Sequence, residues 1–195
     1  MDINPPHQHF IIYKPFGYLS QFVNNGPKKG RKKLLGELYD FPEATMAIGR
    51  LDEKSEGLLL LTTDGKTSNY ICSNKIEKEY YAQVDGEITP EAIVQLQEGV
   101  EIGFEGKKYT TLPCSIQQLN TPPDLPTRQQ KIRDDRHGPT SWISITLREG
   151  KFRQVRKMTS AVGFPTLRLV RVRIGNIRIQ NMNTGDVIAI KELLI

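Results

Sequence analysis

The chain has 195 residues with 37% apolar residues, 27 Lys+Arg against 22 Asp+Glu for a net charge of +5, and two cysteines, a balance that excludes wholesale disorder or a fibre and fits one folded domain with room for two lobes. Folding at this length buries roughly 70% of the unfolded surface, so neither disulfide nor structural metal is needed, and Cys72 and Cys114, far apart without ligand spacing, read as reduced thiols. The acid and prolines at the amino terminus do not form a secretory signal, and the longest apolar run, Leu58 to Leu61, is far too short to span a bilayer, so a cytoplasmic protein without membrane partners is expected.

Residues 1–7 are expected to form a flexible tail ahead of a single domain over 8–195. Phe10 to Tyr13 reads as a buried strand, stopped by the turn Lys14-Pro15-Phe16-Gly17, where proline fixes φ and glycine admits positive φ. A second strand is expected from Tyr18 to Val23, then a basic loop near 24–33, then a helix suggested by the spacing of Leu34, Leu35, Leu38 and Phe41. Strands at Thr45–Ile48 and Gly57–Thr63 flank a loop over 49–56. A turn at Asp64 to Thr67 leads into a helix ending near Asn74, and Glu79–Val84 has strand character.

Thr89 is an N-cap and Pro90 occupies the first helical position, where its missing N–H costs nothing, so a helix runs from there to about Gly99. Short strands fill 100–119. The stretch 120–140 is rich in proline and charge, has no period, and is expected to be a flexible loop. Trp142–Leu147 alternates as a strand does. Val155, Met158 and Val162 then give one apolar face of a helix closed by Gly163 and Pro165, with Arg153, Arg156 and Lys157 opposite. Strands at Thr166–Ile174 and Asp186–Ile190 complete a set of many strands and about four helices without regular alternation. The pattern predicts an α+β fold with a mixed, largely antiparallel sheet flanked by helices.

The basic charge is unevenly placed. Arg148 to Arg178 holds nine basic residues against the single acid Glu149, a local +8 that leaves the rest of the chain at −3, and Lys28, Lys29, Arg31, Lys32 and Lys33 form a second cluster. Two such clusters on an otherwise acidic chain suit a polyanion, because each neutralised phosphate releases counterions. A solvated face is the plainer reading.

In Gly49-Arg50-Leu51-Asp52 a carboxylate sits between two apolar strands at a sheet edge, the setting of a nucleophile or general base and equally of a turn aspartate. The run from Gly49 through Asp52 to Ser55-Glu56-Gly57-Leu58-Leu59-Leu60-Leu61-Thr62-Thr63-Asp64-Gly65 resembles the signature of RNA pseudouridine synthases. The resemblance takes in Lys14-Pro15-Phe16-Gly17 upstream, Lys78-Glu79-Tyr80, and Arg148-Glu149-Gly150-Lys151-Phe152-Arg153-Gln154-Val155-Arg156-Lys157-Met158 with Val162-Gly163, in the family's order. Its nearest likeness is to the branch that modifies single sites in ribosomal RNA.

The resemblance implies a catalytic cleft across the sheet with Asp52 as the catalytic aspartate, Arg156 as its ion-pair partner, and Tyr80 against the target base. It further implies that Leu51 and Leu169 wall the uracil pocket, that Arg50 meets phosphate or the opened strand, and that Lys151, Arg153, Gln154 and Lys157 belong to the substrate-binding surface. No cofactor or metal is expected, since the nucleophile is a side chain. The implied partner is ribosomal RNA of the large subunit, free or in an assembling particle, met by a monomer. Because Lys14-Pro15 comes almost at the first residue, the small RNA-binding module that precedes many members is expected to be absent, leaving grip to the loops at 24–33 and 120–140. Two rivals remain: a non-catalytic RNA-binding or ribosome-assembly protein on the same fold, which has no use for Asp52 and Arg156, and a glycosidase pairing Asp52 with Glu53 or Glu56.

Overall fold

The computed structural model describes residues 6–24, 32–73, 75–128, 130–132 and 135–195. Its strands are β1 (His9–Lys14), β2 (Met46–Ala47), β3 (Glu56–Thr62), β4 (Lys78–Asp85), β5 (Glu101–Phe104), β6 (Lys107–Thr110), β7 (Ser115–Leu119), β8 (Thr140–Leu147), β9 (Thr166–Ile174), β10 (Ile177–Arg178) and β11 (Val187–Ile190). Among the described residues the helices are α1 (Gly65–Cys72), α2 (Pro90–Glu98) and α3 (Gln154–Ala161), with 3-10 turns at Leu35–Glu37 and Asp135–His137.

Nine strands form one sheet in the order β11-β1-β3-β9-β4-β8-β7, with β2 added to β3 and β10 to β9, while β5 and β6 form a separate hairpin. Every pairing is antiparallel except β3 with β9, so the expected α+β class with a mixed, largely antiparallel sheet is what the chain adopts. The parallel pair is short, Glu56 to Val170 and Gly57 to Arg171, and depends on a glycine. Gly57 has φ +100°, and a Cβ there would lie 2.4 Å from the Arg171 carbonyl oxygen.

The four leucines of β3 are buried because both faces of the sheet are covered. Leu59 and Leu61 pack with Phe10, Ile12, Leu35 and Leu51 on one face, and Leu58 and Leu60 with Ile48, Ile71 of α1 and Ile174 on the other. On the first face, α2 and α3 bury Ala92, Leu96, Val155 and Met158 against Ala82, Val84, Ile143, Ile145 and Leu169. Two apolar clusters therefore lie side by side on that face, and Tyr80 packs against both.

Two expected elements take other forms. Tyr18 to Val23 makes only an isolated bridge, Tyr18 with Lys33, and the helix expected around Leu34 to Phe41 is a single 3-10 turn. Leu35, Leu38 and Phe41 do face the core as their spacing implies, but one turn is enough to cover Leu59 and Leu61. The described residues hold three α-helices, not about four. Thr89 caps α2 by accepting from the Ala92 N–H, with Pro90 in the first turn as expected. No helix among the described residues is long and apolar enough to cross a membrane.

Candidate active site

The loop between β2 and β3 carries Asp52 and is fastened on both sides of it, at residue 51 and at residues 53 to 55. Ser20 Oγ donates to the Leu51 carbonyl at 2.8 Å and accepts from the Leu51 N–H at 3.0 Å. The Gly17 N–H donates to the Glu53 carbonyl at 2.8 Å, and Arg156 donates to the Lys54 carbonyl at 2.8 Å and to Ser55 Oγ at 3.3 Å. Lys14, fully buried beneath, donates to the carbonyls of Pro15 and Tyr18. Burial pulls its amine down to about 7, against the opposing pull of Glu56, Asp52 and Glu53.

One cleft is lined by Arg50, Leu51, Asp52, Ser55, Tyr80, Leu147, Glu149, Gly150, Lys151, Arg153, Gln154, Val155 and Leu169. It opens where the two apolar clusters meet under α3. Eight of the ten residues singled out in the sequence line it. Of the other two, Arg156 reaches Asp52 from behind, whereas Lys157 turns to the β5–β6 hairpin, donating to the Gly103 carbonyl. Tyr80 reaches the cleft at a register shift of β4 against β9, between Glu79 and Tyr80, which sets Tyr80 opposite Arg171.

Two guanidinium groups attend the Asp52 carboxylate. Arg153 Nη1 is 3.5 Å and Arg156 Nε 3.9 Å from Oδ2, with Asp52 one-fifth exposed. Arg153 sits in the left-handed region at φ +53°, at the N-cap of α3. Arg156 is the more buried and also donates to the Thr166 carbonyl, so it joins the Asp52 loop to α3 and β9. Burial and then the Arg153 charge pull Arg156 below its ordinary range, while Asp52 pulls the other way.

Several supporting bonds carried no signal in the sequence. Glu149, buried, accepts from the Tyr109 hydroxyl, from the Leu112 N–H at 2.8 Å and from Gln154 Nε2 at 2.6 Å. Gln154 in turn accepts from the Lys151 N–H at 2.9 Å, so the turn before α3 hangs on this buried network. Glu56, the neighbour of the Asp52 loop, is buried against Arg168 at 3.1 Å, and Arg128 approaches it at 3.6 Å while lying 3.8 Å over the Phe16 ring. That contact ties the stretch before residue 129 to the base of the loop. Glu53 pairs with Lys32 at 2.9 Å. Neither Glu53 nor Glu56 lines the cleft, so neither is placed to pair with Asp52 as a glycosidase's second acid would be.

Lys33 lies 5.4 Å from the Tyr18 ring centroid, while Lys28, Lys29 and Arg31 fall outside the described residues. Among the described residues no group of three His, Cys, Asp or Glu side chains is arranged to hold a metal ion.

The sheet thus brings an aspartate on a clamped loop, a tyrosine and the arginines of a following helix to one cleft. The family model for RNA pseudouridylate synthase matches residues 8–161, and the chain belongs to that family. Among individual relatives it is 39% identical, over 87% of its own length and 86% of the other's, to ribosomal large subunit pseudouridine synthase E of Xanthomonas axonopodis pv. citri. It is 33% identical to ribosomal large subunit pseudouridine synthase B of Bacillus subtilis, over 91% of this chain and 66% of that one. A solved pseudouridylate synthase superposes with a TM-score of 0.73 at 25% identity, covering 96% of this chain and 72% of that one.

Proposed function

We propose that this protein isomerises one uridine of large-subunit ribosomal RNA to pseudouridine, with Asp52 as the nucleophile. The observation that carries the proposal is the fate of the two carboxylates that line the cleft. Glu149 is taken up by three hydrogen-bond donors, whereas Asp52 meets the cleft with arginines beside it and a clamped backbone beneath. A carboxylate so placed is preorganised for attack, because no loop ordering is left to pay for at the moment of reaction.

The chemistry breaks the N-glycosidic bond, turns the uracil, rejoins it through C5 and releases the C5 proton. Leu51, Tyr80 and Leu169 enclose the space beside Asp52, which suits a planar base with the Tyr80 ring against its face. Arg156 keeps the loop in place. Arg153, with 39% of its side chain exposed, is positioned to exchange Asp52 for an incoming phosphate. The same reading has the protein act as a cytoplasmic monomer without a cofactor, gripping RNA with its basic loops.

The test is to incubate unmodified large-subunit and small-subunit ribosomal RNA with the protein and to map pseudouridine by carbodiimide-dependent primer-extension stops. One new stop in the large-subunit RNA is expected. Stops confined to the small-subunit RNA would overturn the assignment of the target, and no stop in either RNA, whether free or in subunit particles assembled from unmodified RNA, would overturn the activity.

A further inference from the structure

Phe152 is two-thirds exposed, among the most exposed large apolar side chains described. Its two chain neighbours, Lys151 and Arg153, line the cleft that Asp52 occupies, while Phe152 between them does not line it and is turned to solvent. An exposed phenylalanine forfeits the stabilisation its ring would gain by burial. Its exposure is not the by-product of a loose loop. The turn is closed by the Lys151 N–H on Gln154 Oε1 at 2.9 Å and by the Gln154 N–H on the Lys151 carbonyl at 3.1 Å, and Gln154 is anchored on buried Glu149. The backbone then takes the left-handed conformation at Arg153, which helps direct the two neighbouring side chains apart.

One cation meets this ring and a second stands against the rings of the adjoining hairpin. The Lys157 Nζ lies 5.4 Å from its centroid, held there by the Gly103 carbonyl at 2.6 Å, and the Lys151 Nζ lies 5.0 Å from Phe104 and 4.9 Å from Tyr109 on the adjoining hairpin. A flat apolar face set among fixed positive charges is the arrangement that binds a nucleic-acid strand with an unstacked base, the ring taking the base and the cations the flanking phosphates.

We propose that Phe152 is a stacking platform beside the cleft, which holds an unpaired base next to the uridine that enters it. The proposal rests on the reading of RNA as substrate. A base held there keeps the opened strand from closing while its neighbour occupies the Asp52 pocket, so Phe152 contributes to grip on single-stranded RNA and takes no part in the chemistry.

The experiment measures binding by fluorescence anisotropy of a labelled single-stranded 12-mer RNA of mixed sequence and of its blunt duplex, across a salt series. Wild type, Phe152→Ala and Phe152→Trp are compared, with circular dichroism to verify folding. The Ala variant should bind the single strand about tenfold more weakly or worse, in the range of one base stacked on an aromatic ring. Its slope of log K against log salt should be unchanged, because no phosphate contact is removed. Duplex binding should stay within twofold, and Trp should restore the single-strand affinity. Superimposed single-strand curves for wild type and Ala overturn the proposal, as does equal weakening of single strand and duplex. If wild type itself binds neither RNA in a salt-dependent way, the RNA reading falls and the platform with it.

Discussion

Removing the Arg156 side chain tests whether the Asp52 loop is held by geometry or only by charge. Arg156→Ala deletes the bonds to the Lys54 carbonyl and Ser55 Oγ on the loop and to the Thr166 carbonyl of β9, and leaves Asp52 with Arg153 alone. A hydrogen bond from a charged donor is worth about 1.5–3 kcal/mol, and only the 2.8 Å bond to Lys54 is short, so the loop attachments together contribute about 3 kcal/mol. If those bonds keep Asp52 in its attacking position, the same energy lost from the transition state lowers kcat by roughly 100-fold. Single-turnover tritium release from RNA carrying tritium at uridine C5 reads the rate, and urea unfolding reads the stability. Arg156→Lys should recover less than a tenth of the rate, because an ammonium cannot span the loop carbonyl, the serine and the β9 carbonyl as a planar fork does. Wild-type turnover in the Lys variant, or a destabilised Ala variant with unchanged kcat, would refute the positioning argument.

Gly57→Ala should destabilise the fold by about 3 kcal/mol, since its Cβ would collide with the Arg171 carbonyl oxygen in a backbone conformation at φ +100°; a urea midpoint equal to wild type would contradict the parallel β3–β9 pairing. Lys14 offers a pH test. Unfolded, its amine holds a proton up to its ordinary value of 10.5, whereas burial brings the folded value to about 7, so the folded chain binds fewer protons between them. The cost of burying Lys14 therefore fades as pH rises through that window, and wild type should gain stability relative to Lys14→Met between pH 7 and 10. Urea melts of both proteins check this, and a difference that stays flat or falls with pH would count against it.

What the sequence made legible was what local chemistry carries. The apolar run Leu58 to Leu61 and the capped start at Thr89-Pro90 place β3 and α2 within a residue, and the Val155, Met158, Val162 spacing, read as a helix from Lys151 to Val162, places α3 within three. The segments it misled on are those where the chain finds its partners elsewhere. Tyr18 to Val23 has strand composition, yet its backbone turns to Lys33 and Leu35, and Ser20 leaves the strand pattern to clamp Leu51, 31 residues away. The site was legible as a list of residues and less so as a set of bonds. The resemblance pairs Arg156 with Asp52, which it meets at 3.9 Å, while its closest loop contact is the Lys54 carbonyl and Arg153 is the nearer guanidinium to Asp52. Nothing in the spacing marks Glu149 as the buried hub under Gln154 and Tyr109, because its three donors come from positions 109, 112 and 154. Arg128 reaches Glu56 across 72 residues from a stretch without periodicity, so only the folded chain joins them.

Asp52→Asn probes the proposed nucleophilic role of the Asp52 carboxylate with almost no change of shape. The substitution keeps the side-chain volume, leaves the Ser20 clamp on Leu51 and the Arg156 bonds to residues 54 and 55 in place, and removes the charge. Tritium release from C5-tritiated RNA should fall below detection while RNA affinity stays within a few fold of wild type. Release by the Asn variant at a rate near that of wild type would contradict the account.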